Sequence, residues 1–148
     1  MSRTAVDNLR SGIFIHHLNA PAEKDAIEMM LSAVGQDTRI KDLASLKSAI
    51  FERQKVDPPI LSSGIAFPHA RTDTVQELLL VIATCEKPIV FGAIPVRLIF
   101  LIGVPKTAVR EYLELTSFLA RNLRTQHEVD TLAGAANLEA FVQGLAIA

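Results

Sequence analysis

Residues able to do chemistry are concentrated in one stretch of the chain, Ser62-Ser63-Gly64-Ile65-Ala66-Phe67-Pro68-His69-Ala70-Arg71. A neutral imidazole, with a reference pKa of about 6.5, offers one ring nitrogen as a nucleophile near neutral pH, so His69 is the candidate reactive group. Arg71 supplies positive charge two residues later. Ser62 and Ser63 supply hydroxyls, and the backbone amides of the Ser62-Ser63-Gly64 loop can line an anion site. Phosphoryl transfer depends mainly on positioning and positive charge, so the segment is typical of a site that accepts a phosphoryl group.

Two other interpretations of His69 stay open from the residues alone. A histidine that follows a proline in a loop can also be structural or merely exposed. A hydrolase would require a general base or a carboxylate cluster, for which Asp73 is the nearby acidic candidate. We expect Asp73 instead to orient Arg71 or to cap a turn.

The remaining histidines and the cysteine do not form a metal motif. His16 and His17 are adjacent, and adjacent side chains on a strand point to opposite faces, so at most one of them can join a site with His69. His127 lies in a capping-box sequence, where a solvated residue at a helix start is expected. Cys85, the single cysteine, lies in an apolar run and is expected to be buried. We therefore predict neither a metal ion nor another cofactor.

Composition and charge exclude several classes of protein. Fifteen basic and sixteen acidic residues give a formal net charge of -1 without a basic cluster, so neither nucleic acid nor an anionic membrane surface is an expected partner. A chain of 148 residues fits one domain, which we place over residues 1–148. The apolar runs are far shorter than the ~20 residues that span a bilayer, and the first residues lack the apolar core of a signal peptide. We predict a cytoplasmic protein with no membrane insertion.

Apolar residues at helical spacing predict five helices. The first begins at Asn19-Ala20-Pro21, and the second covers about residues 41–55, with Arg53 near its end. A third covers about residues 107–123. Thr125 opens a fourth with a capping box, and Asn137 caps a fifth.

Strands are predicted at residues 12–16, 65–67, 74–86 and 95–104. The last two are near-continuous apolar runs, typical of central strands covered on both faces. Pro68 favours an extended conformation in the residue before it, so the second strand delivers His69 at its end. The order of elements predicts an α/β fold, a mixed β-sheet flanked by helices on both faces. Glycine-rich nucleotide-binding motifs do not occur in the sequence, so direct nucleotide binding is not expected.

The octapeptide Gly64-Ile65-Ala66-Phe67-Pro68-His69-Ala70-Arg71 resembles the active-site signature of the fructose/mannitol-type enzyme IIA domains of the bacterial phosphotransferase system. Phe51-Glu52-Arg53-Gln54 resembles the family's Arg-Glu element at the same distance before the histidine. Residues 88–91 and 95–105 resemble its central strands, and residues 113–119 resemble the helix that follows. The resemblance covers about residues 13–145 and includes the nitrogen-regulatory members of the family.

The resemblance implies a phosphohistidine carrier. In the family the histidine takes a phosphoryl group from phosphohistidine on HPr or its nitrogen-branch counterpart, and an enzyme IIB cysteine can then receive it. Carried over, His69 is the nucleophile, and Arg53 and Arg71 neutralise the phosphate. The implied activity is that of a phosphotransferase component. The implied partners are an HPr-type protein and either an enzyme IIB or a regulated target protein.

Four positions near the site depart from the family pattern. Pro59 and Ser62 lie where the family has Thr-Gly-x-Gly, Gln54 replaces a glutamate, and Tyr112 stands at the position of a second histidine. Tyrosine can donate a hydrogen bond to a phosphate but carries no positive charge near neutral pH. These departures leave an alternative function, a regulatory binding module of the same fold that transfers no phosphate.

Overall fold

A six-stranded sheet with helices on both faces builds the part of the chain that the computed structural model describes, residues 3–56 and 58–146. The helices are α1 (Ala5–Arg10), α2 (Glu23–Ala33), α3 (Leu43–Gln54), α4 (Val109–Asn122), α5 (Gln126–Ala133) and α6 (Leu138–Ala146), with a 3-10 turn, Lys106–Ala108, before α4. The strands are β1 (Ile13–Ile15), β2 (Ile60–Leu61), β3 (Ile65–Ala66), β4 (His69–Arg71), β5 (Leu79–Phe91) and β6 (Ile94–Val104).

Strand β6 organises the sheet, whose order is β1-β5-β6-β3-β2. β5 and β6 form a long antiparallel hairpin, and β1 lies parallel to β5. On the other side of β6, β3 and β4 follow one another, both parallel to it, with Ile65 opposite Leu98 and His69 opposite Ile102. The carboxyl end of β6 therefore lies beside His69, and its amino-terminal half lies beside the β2-β3 hairpin.

Alternation along the central strands divides the core between the two faces of the sheet. In β6, Phe100 and Ile102 join the core cluster that includes residues of α1, α4, α5 and α6. Ile99 and Leu101 join the cluster that includes residues of α2 and α3. Successive strand residues point to opposite faces, so two continuously apolar strands supply both cores. The predicted mixed sheet with helices on both faces is confirmed.

The structure corrects two predicted boundaries. The strand predicted at residues 74–86 begins at Leu79 and continues to Phe91, because a bulge between Thr84 and Ile89 absorbs the polar residues there without ending the pairing with β6. The first predicted helix begins at Glu23 rather than at Asn19-Ala20-Pro21, and its N-cap, Ala22, makes no side-chain hydrogen bond.

Helix α1, like the short strands β2 and β4, was not predicted from the sequence. Thr4 and Asp7 cap it reciprocally: the Asp7 amide donates to the Thr4 hydroxyl, and the Thr4 amide donates to the Asp7 carboxylate. Leu9 is its fully buried anchor in the core. A six-residue helix is too short for a periodic pattern, so the capping box was the available signal.

The strand predicted at residues 12–16 ends at Ile15, so the strand geometry assumed for His16 and His17 does not apply to them. They follow the strand, His17 has a φ of 53°, and the two rings stack with centroids 3.7 Å apart. His16 Nδ1 lies 3.1 Å from the Ala135 carbonyl oxygen. Cys85 is fully buried as predicted, and burial raises the pKa of its thiol to about 12. In the described residues, no helix has the length and apolar character required to cross a membrane.

Candidate functional site

The backbone around His69 is fixed from both sides. The Phe67 amide donates to the Pro59 carbonyl at 3.0 Å, and the Ile102 amide donates to the Pro68 carbonyl at 2.9 Å. The Phe67 ring stacks against Phe100 of the core, with centroids 5.6 Å apart. These contacts set the position from which His69 begins β4, so the imidazole is carried by rigid secondary structure.

One hydrogen bond determines which ring nitrogen of His69 can react. Nδ1 lies 2.8 Å from the Phe67 carbonyl oxygen, and a carbonyl only accepts, so Nδ1 carries the proton. In the neutral ring the lone pair is then on Nε2. The sequence predicts a nucleophilic imidazole, and this contact leaves Nε2 as the ring nitrogen able to act as a nucleophile.

Three elements contribute to the cavity that His69 lines, which measures about 510 Å³. Arg53 comes from the last turn of α3, Arg71 ends β4, and Tyr112 lies on α4. The other lining residues are Ala49, Ala70, Val109 and Leu113. α3 and α4 cover opposite faces of the sheet and meet at β4, so residues distant in sequence converge there. The structure thus brings together four of the predicted site residues, His69, Arg53, Arg71 and Tyr112.

Tyr112 covers the imidazole ring of His69. Its ring centroid lies 4.9 Å from that of His69, with 30° between the ring planes. Burial raises the pKa of the Tyr112 phenol, while Arg53 opposes that change, so the hydroxyl keeps its proton at neutral pH. Only 8% of His69 is exposed. Tyr112 is therefore a wall of the cavity and a hydrogen-bond donor.

The environment keeps His69 neutral. Burial is the main cause that lowers the pKa of the imidazole, and the Arg53 and Arg71 guanidiniums lower it further. The hydrogen bond to Phe67 acts in the opposite direction. The same two arginines that disfavour an imidazolium attract an anionic group to the cavity. A neutral nucleophile beside two cations is suited to attack on the phosphorus of an anionic donor.

Ser62, Ser63 and Gly64 do not lie in this cavity, so the expectation that their hydroxyls and amides cradle a phosphate beside His69 is not met. The Ser63 hydroxyl donates to the Leu123 carbonyl at 3.0 Å, and the Gly64 amide donates to the Leu61 carbonyl at 3.0 Å. The three residues form the turn between β2 and β3, beside the amino-terminal half of β6. A phosphate-binding turn and a tight hairpin turn have similar sequences. The sheet register distinguishes the two, because it determines whether the turn lies at the cavity or away from it.

Two positions singled out near the site have roles outside the cavity. The Gln54 side-chain amide donates to the Glu23 carboxylate at 3.1 Å, linking α3 to α2. Asp73 accepts from the Lys106 amide at 3.1 Å, so it caps the turn before α4, one of its two expected roles. Among the described residues, no group of three histidine, cysteine, aspartate or glutamate side chains is arranged to hold a metal ion.

Leu113 is a cavity residue that the sequence analysis did not identify. Helical spacing groups it with the core-facing residues of α4, but 56% of it is exposed at the cavity. Position on α4 explains the difference, because Leu115 and Leu119 occupy the buried face instead. The core-facing stripe of α4 is complete without Leu113. An additional apolar residue beside such a stripe is the signal that could have identified Leu113 as a surface residue.

Comparison with known proteins matches residues 9–146 to the family described as "Phosphoenolpyruvate-dependent sugar phosphotransferase system, EIIA 2". The chain belongs to this enzyme IIA family. It is 33% identical over 107 residues to a PTS system fructose-specific EIIA component from Haloferax volcanii, covering 70% of each chain. It is 28% identical over 131 residues to a nitrogen regulatory protein from Pseudomonas aeruginosa, covering 85% of each chain.

The fold also matches solved enzyme IIA structures. Nitrogen regulatory protein IIA-Ntr from Neisseria meningitidis superposes with a TM-score of 0.78 at 24% identity, covering 89% of this chain and 92% of that one. This likeness confirms the enzyme IIA fold that the signature around His69 implied. The family supports a phosphotransferase component that acts in sugar uptake or in regulation.

Proposed function

We propose that this enzyme IIA is a phosphohistidine carrier in which Nε2 of His69 accepts a phosphoryl group from an HPr-type protein. The observation that carries the proposal is the hydrogen bond from Nδ1 to the Phe67 carbonyl, which leaves the lone pair on Nε2. As the new P–N bond forms, the donor's P–N bond breaks and its electron pair returns to the donor nitrogen. The His69 ring keeps its Nδ1 proton and becomes positively charged opposite the phosphoryl oxygens.

The arginines fit the needs of that transfer. Arg53 and Arg71 line the cavity from α3 and β4, so they can approach a phosphoryl group on His69 from two elements. Their charge stabilises the oxygens of the phosphoryl group as it moves between nitrogens. Tyr112 adds a neutral donor where other members carry histidine, so this chain holds the phosphate with less positive charge. The phosphoryl group then passes to an enzyme IIB, or the phosphorylation state itself signals to a target protein.

Intact mass spectrometry tests this proposal. The chain is incubated with enzyme I, the HPr-type protein of the same organism and phosphoenolpyruvate. We expect one acid-labile adduct of phosphate mass, absent from His69→Ala. His127→Ala is the matched control, because His127 is an exposed histidine on α5, and it should keep the adduct. No adduct with any HPr-type donor of that organism would overturn the carrier function.

A second candidate function rests on the burial of His69. An imidazole that is 8% exposed beneath Tyr112 is poorly placed to meet a partner's phosphohistidine, which favours the regulatory binding module. The same experiment separates the two functions. A binding module would show no adduct in the wild type or in Tyr112→Ala, whereas a carrier is phosphorylated in the wild type.

A further inference from the structure

A second hollow, of about 720 Å³, opens between the start of α2, the last turn of α3 and the tip of the β5-β6 hairpin. We call it the α2-α3 hollow. Its volume is within the range of small-molecule sites, which is about 300–1,000 Å³. It shares no lining residue with the His69 cavity, so it is a separate feature of the surface.

Apolar side chains form most of the lining of the α2-α3 hollow. Ile27 comes from α2, Phe51 from α3 and Val90 from β5. Val90 is 57% exposed and is one of the large apolar side chains that the fold leaves at the surface. These groups therefore offer a contact surface to the apolar part of a ligand.

Two side chains of the α2-α3 hollow, Glu23 and Gln54, provide hydrogen-bond acceptors. Glu23 Oε2 accepts from the Gln54 side-chain amide at 3.1 Å, and Glu23 Oε1 accepts from the Gly92 backbone amide at 3.2 Å. These bonds join α2, α3 and the hairpin tip, so they fix the walls of the hollow. A carboxylate has about four lone-pair sites, so Glu23 keeps further acceptor capacity.

The side-chain carbonyl oxygen of Gln54 is a polar group that the fold does not use. Within the described part of the chain, this Oε1 atom is buried and has no hydrogen-bond partner. Because nearly all buried polar atoms in proteins are paired, an unpaired acceptor indicates capacity that a ligand can use. Gln54 lines the hollow and is bonded to Glu23, so an N–H group of a ligand can meet both acceptors there.

Cationic groups border the same hollow. Lys24 on α2 and Lys55 at the end of α3 are exposed lining residues. Lys55 lies 2.9 Å from Glu52, an exposed pair that contributes little, and Lys24 has no ion-pair partner within the described part of the chain. The amino end of α2 adds to the positive potential beside Lys24. An anionic group of a ligand is therefore attracted to this side of the hollow.

We propose that the α2-α3 hollow binds a free α-amino acid with a large apolar side chain, such as phenylalanine. Its ammonium group is held by Glu23 and Gln54, and its carboxylate lies toward Lys24. Its side chain packs against Phe51 and Val90. A fatty acid would leave the acceptors unused and an apolar amine would leave the lysines unused, whereas a zwitterion matches both. The inference does not depend on phosphate transfer, because the hollow is separate from the His69 cavity.

NMR titration of the ¹⁵N-labelled protein tests the proposal. L-phenylalanine should produce saturable shifts of the Lys24, Gln54 and Gly92 amide signals, with a Kd of about 1 mM or tighter. Three related probes each lack one group: 3-phenylpropionate lacks the ammonium, phenethylamine lacks the carboxylate, and glycine lacks the side chain. Each should bind at least about fivefold less tightly, since each leaves part of the hollow without a partner. Absence of saturable shifts with L-phenylalanine, or equally tight binding of 3-phenylpropionate, would overturn the proposal.

Variants of the lining residues assign the binding to the hollow. Glu23→Gln removes the charge and keeps an acceptor, so L-phenylalanine should lose about tenfold in affinity and bind no more tightly than 3-phenylpropionate. Val90→Ser should weaken binding about three- to tenfold, because it removes apolar contact at an exposed position. Lys24→Gln should weaken it about threefold. Lys41→Gln, the same change at an exposed lysine outside the hollow, is the control and should leave the Kd unchanged. Full affinity in either Glu23→Gln or Val90→Ser would contradict the proposed site.

Discussion

Polar residues of similar types lie beside the two ends of β6, in different environments. At the amino-terminal half, Ser63 and Gly64 are bonded to backbone partners, and Arg97 donates to the Cys85 and Glu86 carbonyls and to Asp130. At the carboxyl end, His69 keeps a lone pair on Nε2 beside two arginines that line a cavity. The comparison teaches that the candidate site is recognised by where the fold places these residues, here around a cavity, rather than by residue type.

Substitution of an arginine at each end of β6 should produce the largest difference, in phosphorylation rate at one end and in stability at the other. Arg53→Ala removes a cation from the cavity, and we expect the rate of His69 phosphorylation to fall about 10- to 100-fold, the effect of losing one charged hydrogen bond. Arg53→Lys should recover part of that rate, because it keeps the charge and loses the planar fork.

Arg97→Ala is the matched change at the other end of β6. It should cost about 1–3 kcal/mol in the free energy of unfolding, since three hydrogen bonds to the β5 bulge and α5 are lost. Its phosphorylation rate should stay within about threefold of the wild type. Rapid-quench phosphorylation and urea unfolding measure the two quantities, and a larger loss of rate in Arg97→Ala than in Arg53→Ala would contradict the contrast.

Substitutions in the β2-β3 turn should lower the stability of the protein and leave the phosphorylation of His69 unchanged. Gly64 has a φ of 104°, and a Cβ there would lie 3.2 Å from the Pro95 carbonyl oxygen. Gly64→Ala should therefore lower the free energy of unfolding by about 1–3 kcal/mol. Gly134→Ala is a control, since a Cβ at that helix end meets nothing closer than 3.5 Å. A large loss of phosphorylation in folded Gly64→Ala would restore the turn as part of the phosphate site.

Removal of the buried Ser63 hydroxyl also tests whether the β2-β3 turn affects stability alone, with a smaller expected effect than Gly64→Ala. Ser63→Ala leaves the Leu123 carbonyl without its donor and should cost about 1 kcal/mol. Ser62→Ala, at the exposed neighbour, should change neither stability nor phosphorylation. If Ser63→Ala slowed phosphorylation without changing stability, the hydroxyl would belong to the site after all.

The smallest effect concerns the titration of His69. Its pKa is lowered by burial and by Arg53 and Arg71, so the ring stays neutral as the pH falls to about 6.5 and is protonated only below that value. Phosphorylation should therefore be nearly independent of pH above about 6.5 and should decline below it. Arg71→Gln removes one of the causes, so its His69 pKa, measured by NMR of the ring protons, should move upward. A midpoint above the ordinary value in the wild type would contradict this electrostatic environment.

Sequence reasoning predicted the layers of the fold and selected His69 as the candidate reactive residue, and it failed where the local sequence is ambiguous. The continuous apolar runs that form much of β5 and β6 are typical of central strands covered on both faces, so the sheet and its two cores could be predicted. The Ser62-Ser63-Gly64 turn is close to His69 in sequence. In the fold, β3 and β4 lie one after the other along β6, so the turn before β3 is held apart from His69 at the start of β4. Leu113 was not identified because spacing alone does not distinguish the edge of an apolar stripe from its centre. The partnership of Arg53 with His69 came from family resemblance, since no local pattern links α3 to β4.

The atom of His69 that carries the phosphate tests the central claim most directly. Chain labelled with ¹⁵N in histidine is phosphorylated by enzyme I, the HPr-type protein and phosphoenolpyruvate, and the ring nitrogens are observed by NMR. The hydrogen bond to Phe67 predicts phosphorus on Nε2 of His69, with the proton retained on Nδ1. Phosphorus on Nδ1, or on any residue other than His69, would contradict it.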